Sequence, residues 1–114
     1  MARTRIKPTR VSPLGVPAME KIPCDPVNGN EVPNTPDVGL VFMNDDTENP
    51  HTVTIITVAK VGGIDVENVV IELAPKGQEG SARVCGNFST HLFGAMIKFD
   101  CDSDLVTFYT YSST

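Results

Sequence analysis

The 114-residue sequence has no tryptophan, only five Phe and two Tyr, and just three cysteines. Each shortage excludes something. A domain that stacks sugar rings or bases needs exposed aromatics gathered in one place. Here the Phe and Tyr residues fall mostly inside strand-like runs. Cys24, Cys85 and Cys101 are an odd, widely spaced set, which does not fit a disulfide scaffold. None are near neighbours, and the only histidines, His51 and His91, lie far apart, so zinc-ligand spacing is missing too. The cysteines read as small buried apolar residues. No apolar run approaches the roughly 18 residues of a membrane span. The first ten residues are basic without the apolar core of a signal peptide, so a cytoplasm-like site of synthesis is expected. In that setting Asn87-Phe88-Ser89 is a chance glycosylation triplet. The length allows one small domain and excludes a multidomain enzyme.

Basic residues are scarce except at one place. Nine Lys and Arg stand against fourteen Asp and Glu, for a net charge of −5, yet Arg3, Arg5, Lys7 and Arg10 all fall in the first ten positions. The first acid is Glu20. Proline is as lopsided: Pro8, Pro13, Pro17, Pro23, Pro26, Pro33 and Pro36 are seven of the nine. Proline fixes φ, removes a donor and pushes its predecessor towards extended geometry, so this stretch is neither helix nor central strand. Residues 1–36 are predicted to be an extended, basic, Pro-rich arm. A disordered tail is one explanation for such an arm. Its spaced apolar residues Ile6, Val11, Leu14, Val16, Met19, Ile22 and Val27 favour docking instead, because disordered tails are poor in them. Nucleic acid, an acidic protein surface and the body's own acidic face are the candidate docking sites. The acidic body lacks the basic footprint of a nucleic-acid reader, and a protein surface fits best.

Residues 37–114 read as the folded body. Gly39 to Met43, Thr52 to Val61, Ile64 to Val66, Val69 to Leu73, Ala82 to Phe88, Leu92 to Phe99 and Leu105 to Tyr111 are strand candidates separated by turn chemistry. No segment has a sustained helical period with caps. The predicted fold class is all-β: a small antiparallel β-sandwich or barrel preceded by the arm. Its predicted core is Leu40, Phe42, Val53, Ile55, Val58, Val69, Ile71, Leu73, Val84, Phe93, Ile97, Phe99, Val106 and Phe108.

The chemistry-bearing residues are few. Asp100, Asp102 and Asp104 alternate like the start of a calcium loop, but the sixth and twelfth positions are Leu105 and Tyr111 rather than Gly and Glu. A hairpin turn between the last two strands accounts for them, and Asp45, Asp46 and Glu48 read as a solvated loop. His51 and His91 each fall in a turn and are expected to be exposed. No nucleophile elbow or phosphate-binding glycine loop is present. Hence no catalytic residue, metal ligand, cofactor or small-molecule substrate is expected.

Three stretches carry a likeness. They are Val27 to Asn34 following the arm; Gly39 to Asn44 leading into His51 to Ile55; and Val61 to Val66 followed by Val69 to Gly77. On these, about residues 27–77, the chain resembles the head-decoration (capsid cement) proteins of tailed bacteriophages, particularly of actinobacteriophages. The carboxyl half lies outside the likeness. The resemblance implies a non-enzymatic virion protein, made in the host cytoplasm and bound to the capsid exterior. Its partners would be the major capsid protein and copies of itself, with no nucleic acid and no membrane. The expected partner-binding residues are Arg3, Arg5, Ile6, Lys7, Arg10, Val11, Leu14, Val16, Met19 and Ile22. Basic residues there would pair with acids on the shell, and apolar ones would anchor the arm by strand addition.

Three rival readings make different demands. A neck or tail component would occur in few copies per particle. A free-standing domain binding carbohydrate or a host surface would need clustered exposed aromatics. A nucleic-acid-binding barrel would bind through the arm in a salt-sensitive manner.

Overall fold

A computed structural model describes residues 3–11, 15, 21–35 and 37–112. The chain is all-β, with one helical turn among the described residues. Three two-residue strands come first: β1 (Thr4–Arg5), β2 (Thr9–Arg10) and β3 (Ile22–Pro23). They are followed by β4 (Asn30–Pro33), β5 (Gly39–Asn44), β6 (His51–Ile56), β7 (Lys60–Val61), β8 (Ile64–Asp65) and β9 (Val69–Leu73). β10 (Ala82–Cys85), helix α1 (Thr90–Phe93), β11 (Met96–Cys101) and β12 (Val106–Ser112) complete the chain.

Two five-stranded sheets form. One has the order β1-β4-β11-β6-β9. The other runs β10-β5-β12-β2, with β3 also on β12, and β7-β8 is a separate ribbon. Alternation of apolar residues explains why the sheets share a core. Val53 and Ile55 of β6, Ile97 and Phe99 of β11, and Leu40 and Phe42 of β5 are at most 1% exposed. Phe99 from one sheet meets Phe42 and Phe108 from the other edge-on, each at 5.0 Å between centroids. Edge-to-face contacts of this kind add to the burial of the rings. Gly39 lies opposite Tyr111 in the β5–β12 ladder, and a Cβ there would run into the Tyr111 ring.

The predicted core holds at ten of its fourteen positions. Val58, Val69 and Val84 are instead exposed, and Ile71 is half-buried. β-branched residues suit any strand, so composition does not separate edge from core. Conversely Cys24, Val32, Val38 and Cys101 are buried. Val32 belongs to β4, which is flanked by β1 and β11, so the stretch just before residue 37 lies within a sheet.

Three local expectations are corrected. The predicted strand from Leu92 begins only at Met96, because residues 90–93 form α1, which buries Phe93 against Phe88 at 5.2 Å. β11 and β12 do not form a hairpin: residues 102–105 cross from one sheet to the other. The predicted strand from Thr52 to Val61 stops at Ile56, where β6 ends, and Val58 beyond it is 49% exposed.

Candidate functional site

The amino segment lies along one side of both sheets. β1 runs parallel to β4, with Thr4 and Arg5 opposite Asn30 and Glu31. The ladder extends through the Thr4 N–H to Gly29 O at 3.0 Å and the Ile6 N–H to Glu31 O at 3.0 Å. On the other sheet β2 runs parallel to the end of β12 at Tyr111 and Ser112. β3 runs antiparallel to β12 at Thr107 and Phe108. Pro23 is tolerated there because it sits on an outermost strand. The outer edges of β4 and β12 are thus paired by short pieces of the same segment.

The ten residues expected to bind a partner are distributed as follows. Arg3 donates from Nη1 to Asp100 Oδ1 at 2.6 Å and to Phe99 O at 3.2 Å. Gly29 makes room for this pair: at φ 75° it has no Cβ, and one would collide with the Arg3 guanidinium and the Asp100 carboxylate. Arg5 faces Glu31 at 3.5 Å. Ile6 and Ile22 are partly buried against the core, and the Val11 N–H bonds to Ser112 O at 2.8 Å. Lys7 and Arg10 are exposed, and neither makes an ion pair among the described residues. Leu14, Val16 and Met19 lie outside the described residues. Arg3 and Arg5 therefore meet the chain's own acids, while Lys7 and Arg10 present their charge outward.

The opposite side differs. β9 and β10 end their sheets with no further strand beyond them among the described residues. They carry Val70 at 65% exposure and Val84 at 72%. Both border a depression of about 310 Å³ lined by Pro50, Glu72, Ala74, Pro75, Glu79, Gly80 and Arg83. The separate β7-β8 ribbon exposes Val61 and Ile64. Buried Asn44 ties this side together, donating from Nδ2 to Asn49 O at 2.9 Å and Ala74 O at 3.1 Å.

One cluster was missed by the sequence reading. His51 is not an exposed turn residue: it opens β6, with its side chain 15% exposed. Its Nε2 lies 2.9 Å from Asp46 Oδ2, and its Nδ1 lies 2.9 Å from Asp102 Oδ1. Asp102 also accepts the Thr52 N–H at 3.2 Å. The Glu48 N–H and then His51 hold the Asp46 carboxyl down to about 2. Both ring nitrogens thus face carboxylates. Chemically it is a bridge between two loops. Asp46 lies in the loop just before β6, but Asp102 comes from a connection 51 residues away, so no local motif announced the bridge.

The alternate acids diverge. Asp100 meets Arg3, Asp102 meets His51, and Asp104 is exposed. Among the described residues no group of three or more His, Cys, Asp or Glu is placed to hold a metal ion. None of the described helices is long and apolar enough to cross a membrane. No protein family, curated protein or solved structure matches the chain.

Proposed function

We propose that this chain is a structural subunit that binds the exterior of an assembled tailed-phage capsid and stabilises it. In this reading the two sheets form a sandwich carrying a docking arm. The observation that carries the proposal is the asymmetry of the sheet edges. One side is closed by β1, β2 and β3, while among the described residues β9 and β10 have no further strand beside them and carry exposed valines. An unpaired edge with apolar side chains is a template for strand addition by a neighbour. Exposed Lys7 and Arg10 add charge for acids on the shell surface. The arm's short pairings could equally be made on a neighbouring copy, since each involves only two residues of ladder. Many weak contacts on a lattice then sum to firm attachment.

The test is quantitative mass spectrometry of purified particles containing the chain. The expected result is a copy number in the hundreds that scales with the capsid lattice. About five, six or twelve copies would assign it to the neck or tail, and absence from particles would overturn the reading. Val84→Glu, on an exposed edge position, should lower occupancy on particles without unfolding the protein.

A further inference from the structure

We infer that the depression between β9 and β10 is a docking site for a second copy of this chain, which meets it head to tail with Lys7 and Arg10. The charged residues lining the depression are Glu72 from β9, Glu79 from the connection to β10, and Arg83 from β10. All three are exposed, and none makes an ion pair among the described residues. Two carboxylates against one guanidinium leave negative charge in excess. The opposite side of the molecule carries the complement. Lys7 lies between β1 and β2, and Arg10 ends β2; both are exposed and also make no ion pair among the described residues. Lys7 and Glu79 hold equivalent places on the two sides. Each lies where the chain crosses between the sheets: residues 6–8 join β1 to β2, and residues 74–81 join β9 to β10.

Strand directions suit the same arrangement. β1 is parallel to β4, and each later step through β11, β6 and β9 is antiparallel. β1 and β9 therefore run in opposite directions at the two ends of one sheet. A copy displaced sideways, without turning over, brings its β1 antiparallel to β9, so the two edges can extend the sheet as one ladder. The other sheet ends in β10 on one side and in β2 and β3 on the other, so its edges meet in the same step. Exposed Val70 and Val84 beside the depression add apolar area to the contact. Opposite charges select this arrangement, because contact between two like sides would set Lys7 and Arg10, or the depression carboxylates, against their own kind. Unlike sides make a heterologous contact, which repeats from copy to copy. The inference does not rest on the shell-binding reading: it concerns copies in solution, whereas copy number on particles tests the other.

Sedimentation velocity of the full chain over a range of concentrations is the test. At low salt the chain should associate with a Kd tighter than about 1 mM. In about 1 M salt, where the screening length is about 3 Å, association should weaken at least about tenfold. Lys7→Glu with Arg10→Glu puts acids on both sides, and Glu72→Lys with Glu79→Lys puts cations on both. Each double variant alone should stay monomeric. An equimolar mixture of the two should associate again, since each supplies the side that the other lacks. All four positions are exposed, so both variants should keep the wild-type circular dichroism. Glu72→Gln with Glu79→Gln, which removes charge without reversing it, should weaken association in the same direction. A wild-type chain that stays monomeric at low salt, association that survives either double reversal, or a mixture that remains monomeric would overturn the proposal.

Discussion

The two sides of the molecule meet the same problem with different means. Every sheet ends in a strand with unpaired backbone groups. On the β4 and β12 side these groups are paired by the chain's own amino segment, and Arg3, Gly29 and Asp100 lock the first piece in place. On the β9 and β10 side no further strand pairs them among the described residues, and exposed valines flank them. The first side draws its stability from within the chain. Among the described residues the second has no such covering.

The largest expected effect comes from removing the covering. Deleting residues 2–22 strips Ile6 and Ile22 from the core and uncovers the edges of β4 and β12. A loss on the order of 3–5 kcal/mol is expected from the apolar area and hydrogen bonds removed. Urea unfolding would measure it. Unchanged stability would mean that the amino segment contributes nothing to the fold and serves only an outside partner.

A matched pair of valines sharpens the contrast. Val32 in β4 is 0% exposed and Val84 in β10 is 72% exposed. Val32→Ala should cost about 2 kcal/mol, whereas Val84→Ala should stay within about 0.5 kcal/mol. Equal effects would show that the β10 edge is buried in solution, for instance by self-association, which light scattering would detect.

Gly29→Ala comes next. Its positive φ and the crowding against Arg3 and Asp100 predict a loss of about 1–2 kcal/mol. Arg3→Ala should cost less, under about 1 kcal/mol, because the pair is partly exposed. Measured in the Arg3→Ala background, Gly29→Ala should lose part of its effect.

The smallest effect is seen in acid. The Asn28 N–H, and next the Thr4 hydroxyl, hold Asp25 at about 2, while the Glu48 N–H, and next His51, do the same for Asp46. A carboxylate whose folded pKa is depressed adds stability above its unfolded value of roughly 4. That contribution is lost as pH falls through the folded value of about 2. Stability should therefore decline between about pH 4 and 2. Asp25→Asn should flatten this decline at the closed side, and Asp46→Asn at the loop beside His51. Hydrogen exchange of Thr4 and of Thr52 would report the two sides separately.

Much of this molecule was written locally. Turn residues and alternating apolar positions marked β5, β9 and β12, and the start of β6, close to their observed limits, since side-chain period and turn chemistry are properties of neighbouring residues. The same patterns could not tell Val84 from Leu40, because a β-branched residue favours a strand wherever that strand lies in the sheet. Proline content led to the expectation of an extended amino segment. It did not indicate that Asn30–Pro33 would lie between β1 and β11, nor that Arg3 would find Asp100 across the chain. The contact of His51 with Asp102 likewise joins residues far apart in the sequence. By itself the sequence determined an all-β chain with its basic charge gathered at the amino end. Only the tertiary structure decided which edges are paired and which charges are neutralised, because such pairings depend on strands that meet in space.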